Sequence, residues 1–321
     1  REKCDMSSMD ISKQPSKDEK SKKSEKVEEK KKITEIDDYI KSHSKFPIGQ
    51  TRWGFLPIPI QLFLNINNKD CLKSESSRSI IQNKTCILRR GVENNKKQSF
   101  IACLADLYVD FQSSDKNTIP TISEMRGVII NSLSLSKFIT YQNGSLVTTF
   151  QNSDIDVDMS KYKDEKIFQN IKPENLENYY KKIVSAYEKF KLYLSDDDVE
   201  IDYTYLWDIV TRPNKKLFKS GINLIVLNIP DDDITNNVEL ICPTNYYSNN
   251  KYDKRRGTLI LIKRYDYFEP IYSYKDTGRI VKVQRLFFEQ NKETDKNIKK
   301  MITSISEIVL QSCLPQNSQP D

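Results

Sequence analysis

The spacing of apolar residues changes along the chain, and the change divides it into regions. Between residues 34 and 152 apolar positions recur mainly at helical spacing. In segment 99–108 they fall at Phe100, Ile101, Leu104 and Leu107, and segment 121–133 has a similar pattern. The sequence therefore predicts a mainly helical first domain over 34–152. Around Asn143-Gly144 two readings stay open: a β-hairpin turn, or a helix followed by a glycine-capped strand.

Residues 160–315 have a different pattern. An amphipathic helix is expected over 175–194. Short aliphatic runs separated by Pro, Asp and Asn then follow, at 223–229, 238–242, 258–263 and 267–272. An amphipathic segment at 301–313 is expected to form a helix over one face of the resulting sheet. The sequence therefore predicts an α+β fold: a mainly helical first domain, followed by an α/β domain at 160–315 with a small mixed sheet covered by helices.

The first 33 residues lack both patterns. Residues 1–35 contain eleven Lys or Arg against nine Asp or Glu and few apolar residues. Such a segment buries too little surface to offset its chain entropy, so residues 1–33 are predicted to be a disordered Lys/Glu-rich segment that the fold does not need. The chain opens with Arg1 rather than Met, as expected for an internal or C-terminal fragment of a longer protein.

Charge and cysteine content narrow the functional classes. The formal net charge is +6, and no apolar run approaches the ~20 residues that span a bilayer, so no membrane partner is expected. The six cysteines form no Cys-x-x-Cys pair. Reduced thiols in a cytosol-like compartment are therefore expected, with Cys103 as a core residue.

The strongest basic cluster lies between residues 251 and 264. It contains six cations against one acid, interleaved with tyrosines, and its members are Lys251, Lys254, Arg255, Arg256, Lys263 and Arg264. Lys and Arg neutralise phosphates while aromatic rings stack or hydrogen-bond, so this composition predicts nucleic-acid contact. Arg255 and Arg256 are the expected principal pair. The alternative is a hairpin tip whose charges serve only solubility.

A second basic cluster comprises Arg89, Arg90, Lys96 and Lys97. An arginine directly before Gly91 suits a phosphate contact, because glycine permits a close backbone approach. Ion pairing of these arginines with Asp106 or Glu93 is the alternative.

No catalytic constellation is complete. Residues 231–233 are all aspartate, and with Glu239 and Lys263 they loosely follow the acid-acid-lysine order of metal-dependent nucleases. The Glu-x-Lys spacing that such a site needs is missing. No phosphate-binding loop is present either. The sequence therefore predicts a protein that is not an enzyme, with a degenerate nuclease-like module as one alternative.

Several segments together resemble a known family. A Phe55-Leu-Pro57 element leads to an apolar Phe63-Leu-Asn65 end, followed by Leu88-Arg-Arg-Gly-Val92 and then by Ser99-Phe-Ile101. This series resembles the large subunit of the early transcription factor of poxviruses and related nucleocytoplasmic large DNA viruses, including giant viruses. The resemblance extends through 206–208, 223–225 and 268–271.

The resemblance implies a virion-packaged transcription initiation factor that binds double-stranded promoter DNA. Its implied partners are a small ATPase subunit of the same factor and the viral RNA polymerase, and its implied location is the virion and the viral factory in the host cytoplasm. No cofactor is expected except a structural zinc, for which Cys4 would be the last ligand after cysteines upstream. An unpaired thiol at Cys4 is the alternative. The competing class is a structural virion or scaffold protein without a DNA role.

Overall fold

The computed structural model describes residues 39–74, 79–112, 118–151, 157–169, 177–231, 235–243, 252–291 and 294–313. All of these residues belong to one compact unit, which spans 38–321. The predicted disordered segment 1–33 and Cys4 lie outside the described residues. The described residues form helices and one mixed open sheet, so the predicted α+β class is confirmed.

The strands of the described sheet come from both halves of the chain. They are β1 (Trp53–Gly54), β2 (Thr85–Arg90), β3 (Asn223–Asn228), β4 (Glu239–Ile241), β5 (Thr258–Arg264), β6 (Tyr267–Asp276) and β7 (Val281–Gln284). Their order is β1-β2-β6-β5-β3-β4, and β7 pairs with β6. β3 and β5 run parallel, and the other pairs are antiparallel. All four predicted strand runs are confirmed, although β6 continues four residues beyond its predicted end.

The described helices cover both faces of the sheet. They are α1 (Ile58–Phe63), α2 (Ser99–Tyr108), α3 (Ile122–Ser132), α4 (Leu135–Phe138), α5 (Ser145–Phe150), α6 (Lys166–Gln169), α7 (Glu177–Ser195), α8 (Tyr203–Thr211) and α9 (Lys296–Ser312). Helix α2 has its predicted bounds. Thr121 caps α3 through a reciprocal capping box with Glu124. Within the described residues, no helix has both the length and the apolar character needed to cross a membrane.

Side chains that alternate along the strands separate two apolar layers. Leu224 and Val226 of β3 belong to a core shared with α2, α3, α7 and α8. Ile225 and Leu227 point to the other face, where α1 and α9 cover them. The period of two along a strand produces this division. The same alternation places the side chains of Arg89 and Arg90, which are consecutive in β2, on opposite faces of the sheet.

The division into domains at 34–152 and 160–315 is not observed. Strand β2 pairs with β6, and residues 38–321 form one compact unit. Local periodicity does not reveal pairing between strands so far apart in sequence.

The segment around Asn143-Gly144 is neither a hairpin turn nor a helix followed by a strand, because helices α4 and α5 flank it. Gln142, Asn143 and Gly144 adopt left-handed backbone conformations between them.

The expectation of reduced thiols is wrong for four cysteines. Cys71 pairs with Cys86, and Cys242 pairs with Cys313. The paired Cα atoms lie 6.0 and 5.3 Å apart, within the usual range for disulfides. The partners are 15 and 71 residues apart in sequence, so folding rather than local spacing brings them together. Cys103 is a free, buried thiol in the core, as predicted.

Candidate nucleic-acid interface

The two consecutive arginines at the end of β2 point to opposite faces of the sheet. Arg89 shares the α1 and α9 side with Ile87, and Arg90 faces α2 on the other side. This follows from the strand period, since adjacent side chains alternate. Arg89 and Arg90 therefore do not form a joint phosphate site.

Arg89 is fully buried and ion-paired with Glu269 of β6. Its guanidinium also donates to the carbonyls of Phe55 (2.8 Å), Ser42 (3.0 Å) and Lys45. Burial raises the pKa of Glu269, and Arg89 together with the Ile48 amide opposes that rise. Arg89 thus fastens the segment 42–56 to the sheet, and the structure does not support its prediction as a DNA contact.

Arg90 is ion-paired with Asp106, which was the alternative to a phosphate contact. Its Nε lies 3.0 Å from Asp106 of α2, and Arg285 approaches the same carboxylate at 3.1 Å. The close backbone approach at Gly91 is also internal. A Cβ atom there would lie 2.0 Å from the carbonyl oxygen of Gly49. Arg90 and Gly91 therefore belong to the packing of the fold.

Strand β5 separates the predicted cluster 251–264 into two places. Thr258 and Arg264 are its ends, so at about 3.3 Å per residue the two groups of cations lie roughly 20 Å apart. Lys251 lies outside the described residues. Lys254, Arg255 and Arg256 precede the strand, and Lys263 and Arg264 end it.

The group at the end of β5 is balanced by acids. Lys96 pairs with Asp266 at 3.3 Å, and Lys97 donates to the Asp198 carbonyl beside a turn that also carries Asp196 and Asp197. Lys263 lies over the rings of Tyr203 and Phe268, and Arg264 over that of Tyr265. Acids and aromatic rings therefore lie beside the cations at this end of the sheet, and one of the acids, Asp197, pairs with Arg126 of α3.

The group before β5 forms a tight turn around Asp253. Arg255 and Arg256 both pair with Asp253, and Lys254 pairs with Glu289 at 3.0 Å. Hydrogen bonds from the Arg255 side chain and backbone amide lower the pKa of Asp253 to about 2. The Arg255 side chain nevertheless remains 81% exposed, whereas Arg256 is largely covered and donates to the Thr211 carbonyl.

That contact with Thr211 joins the turn to a second basic segment. The loop after α8 carries Arg212, Lys215, Lys216 and Lys219. Lys137 of α4 reaches the same loop and donates to the Pro213 carbonyl at 3.1 Å. Gly221 closes the loop with a φ of +68°, a conformation that favours glycine. A Cβ there would also lie 2.3 Å from the Thr211 carbonyl oxygen.

We call the resulting surface the basic face. It comprises seven cations from three segments: Lys137, Arg212, Lys215, Lys216, Lys219, Arg255 and Arg256. The carboxylates paired with them are Asp208, at 3.0 Å from Arg212, and Asp253. Of the two ends of β5, this one therefore has the surplus of positive charge.

The nuclease-like order is only partly assembled. Glu239, Asn228 and Lys263 share one register across β4, β3 and β5. The Asn228 amide donates to Glu239 at 2.7 Å. Asp232 and Asp233 lie outside the described residues, and in the described part of the chain no group of three His, Cys, Asp or Glu side chains could hold a metal ion. Of the residues in that order, Asp231, Glu239 and Lys263 are described, and the strand register brings Glu239 and Lys263 onto the same level of the sheet.

No family model, curated protein or solved structure matches the chain. The sequence prediction missed Lys137, Arg212, Lys215, Lys216 and Lys219. A local signal for four of them exists, because segment 212–219 carries four cations and no acid.

Proposed function

We propose that this protein binds duplex DNA through the basic face, mainly by contacts to backbone phosphates. One observation carries the proposal: cations from α4, the loop after α8 and the 253–256 turn converge near the start of β5. Five of the seven are exposed, namely Lys137, Lys215, Lys216, Lys219 and Arg255. Exposed cations grouped in this way neutralise phosphates and release counterions.

The setting supported by the resemblance is early viral transcription, in which such a protein binds promoter DNA and helps recruit the viral RNA polymerase. The partners in this proposal are the small ATPase subunit and that polymerase, and the location is the virion and viral factory. Phosphate contacts position a protein on DNA without reading sequence. The basic face therefore accounts for affinity, while promoter selection requires further contacts to bases.

The test is a fluorescence-anisotropy titration of a labelled 30-base-pair duplex at several salt concentrations. Up to five phosphate contacts give a log-log salt slope of up to about −4.5, so affinity should fall by up to about 500-fold between 50 and 200 mM salt. Arg255→Ala should make the slope shallower by about 0.9. Arg279→Ala, which removes an exposed arginine in the β6–β7 turn, is the matched control and should leave the slope unchanged.

Absence of binding at ~50 mM salt, or binding that is indifferent to salt, would contradict the proposal and favour the scaffold alternative. Equal slopes for Arg255→Ala and wild type would remove Arg255 from the interface.

A further inference from the structure

A cleft of about 420 Å³ opens within the basic face, between α3 and α4 on one side and the 213–219 loop on the other. We call it the lysine cleft. Its lining is Ser132, Leu133, Ser134, Lys137, Pro213, Asn214, Lys215, Lys216 and Lys219. Four of these residues are lysines, and none of the described residues that line the cleft is acidic. A concave site with charges of one sign concentrates counterions more strongly than a flat surface does.

Hydrogen bonds fix the walls of the cleft. The buried Asn214 amide donates to the Ser132 carbonyl at 3.0 Å, and its side-chain oxygen accepts the Lys216 amide at 3.0 Å. Phe218 anchors the loop in the core against Phe111. The arrangement is therefore held by the fold.

The four ammonium groups divide into two pairs. Lys137 and Lys216 each donate at 3.1 Å to a carbonyl of the opposite wall, Pro213 and Asn131 respectively. Lys215 and Lys219 are exposed and, within the part of the chain that the structure describes, make no side-chain hydrogen bond or ion pair. One pair thus holds the cleft together, and the other has its donors free for a ligand.

We propose that the lysine cleft is a binding site for a phosphate group, with Lys215 and Lys219 as its principal ligands. An ammonium group is a compact charge with three donors that can turn toward several oxygens of one phosphate. Ser134, whose hydroxyl lies 3.4 Å from that of Ser136, also lines the cleft and supplies a neutral hydroxyl. Two sources share this chemistry: a backbone phosphate of duplex DNA, which rests on the proposed function, and free inorganic phosphate, which does not.

The test compares two double variants that remove equal charge. Lys215→Gln/Lys219→Gln empties the cleft of its free cations without touching the lysines that hold the walls. Lys296→Gln/Lys299→Gln removes two exposed lysines from α9 and is the control. Each variant and the wild type is measured in two arms: the salt slope of duplex DNA binding, and the melting temperature with and without millimolar inorganic phosphate at constant ionic strength.

In the DNA arm, two lost contacts should make the slope of the cleft variant shallower by about 1.8, while the control keeps the wild-type slope. In the phosphate arm, free phosphate as the ligand should raise the melting temperature of wild type and control more than that of the cleft variant. A selective effect in either arm supports the site and identifies its source. Equal behaviour of the two variants in both arms would overturn the proposal.

The two arms also distinguish failure of the cleft proposal from failure of the DNA-binding proposal. If the wild type binds no DNA but phosphate stabilises it selectively through the cleft, the site stands and the DNA-binding proposal falls. If DNA binds with a steep salt slope that the cleft variant retains, and phosphate has no selective effect, the DNA-binding proposal stands and the cleft proposal falls.

Discussion

Replacement of Arg89 by methionine should lower the free energy of unfolding by about 3–5 kcal/mol, the usual loss when one partner of a buried ion pair is removed. Methionine retains much of the volume but none of the donors. The Glu269 carboxylate and the carbonyls of Phe55, Ser42 and Lys45 would lose the hydrogen bonds that the guanidinium now supplies. For a unit of this size, 1 kcal/mol corresponds to about 2 °C, so the melting temperature should fall by about 6–10 °C.

The loss should depend on pH. The pKa of Glu269 is raised in the folded protein, so the unfolded state binds fewer protons between the unfolded and folded pKa values, and stability declines as pH rises through that window. Without Arg89 the rise in pKa becomes larger, because the nearest opposing cation is gone. The deficit of Arg89→Met relative to wild type should therefore be smaller at pH 5 than at pH 8.

Urea denaturation followed by circular dichroism measures both effects. Arg279→Met, at an exposed arginine, should change the unfolding free energy by less than about 0.5 kcal/mol. Glu269→Gln retains an acceptor for the Ile48 amide, and Arg89→Met/Glu269→Gln should cost clearly less than the sum of the single changes. A loss below about 1 kcal/mol for Arg89→Met, accompanied by a shallower salt slope for DNA, would refute the reasoning and return Arg89 to the interface.

The other predictions concern two glycines and the two disulfides of the fold. Gly221→Ala should lose roughly 1–3 kcal/mol from backbone strain alone, and more from the clash with Thr211, as measured by urea denaturation. Gly127→Ala in α3, where a Cβ meets nothing within 4 Å, should instead gain about 0.5–1 kcal/mol; the reverse order would contradict the loop geometry. Non-reducing peptide mapping should recover Cys71–Cys86 and Cys242–Cys313 as linked peptides, and free thiols at all four positions would contradict the pairing. In the chain-entropy model, replacing Cys242 and Cys313 with serines should lower the free energy of unfolding by about 4 kcal/mol, and replacing Cys71 and Cys86 should lower it by about 3 kcal/mol. Both losses relative to wild type should vanish in reductant.

The elements were more predictable than their assembly. Helix α2 and strands β3 and β5 follow from local periodicity, because each buries a face whose spacing matches its own period. The pairing of β2 with β6 does not follow, since it joins residues nearly two hundred positions apart. Apolar character alone does not place a side chain in the core, since Leu62 is 65% exposed on α1.

The candidate site shows the same limit. Composition identified the exposed Arg255 but also selected Arg89, whose buried partner Glu269 is 180 residues away. The lysine cleft joins Lys137 to a loop nearly 80 residues later, and only the folded chain brings these residues together. Charge counting along the sequence therefore finds cations, whereas pairing and burial decide which of them a ligand can reach.

The most direct test of the central claim is lysine-reactivity footprinting of the whole chain, free and bound to duplex DNA. An acylating reagent labels exposed amines, and mass spectrometry measures the change in labelling at each lysine. If the basic face binds DNA, Lys215 and Lys219 should be protected several-fold in the complex, whereas Lys296 and Lys299 of α9 should react as in the free protein. Protection confined to α9, or equal protection at all four lysines, would contradict the account.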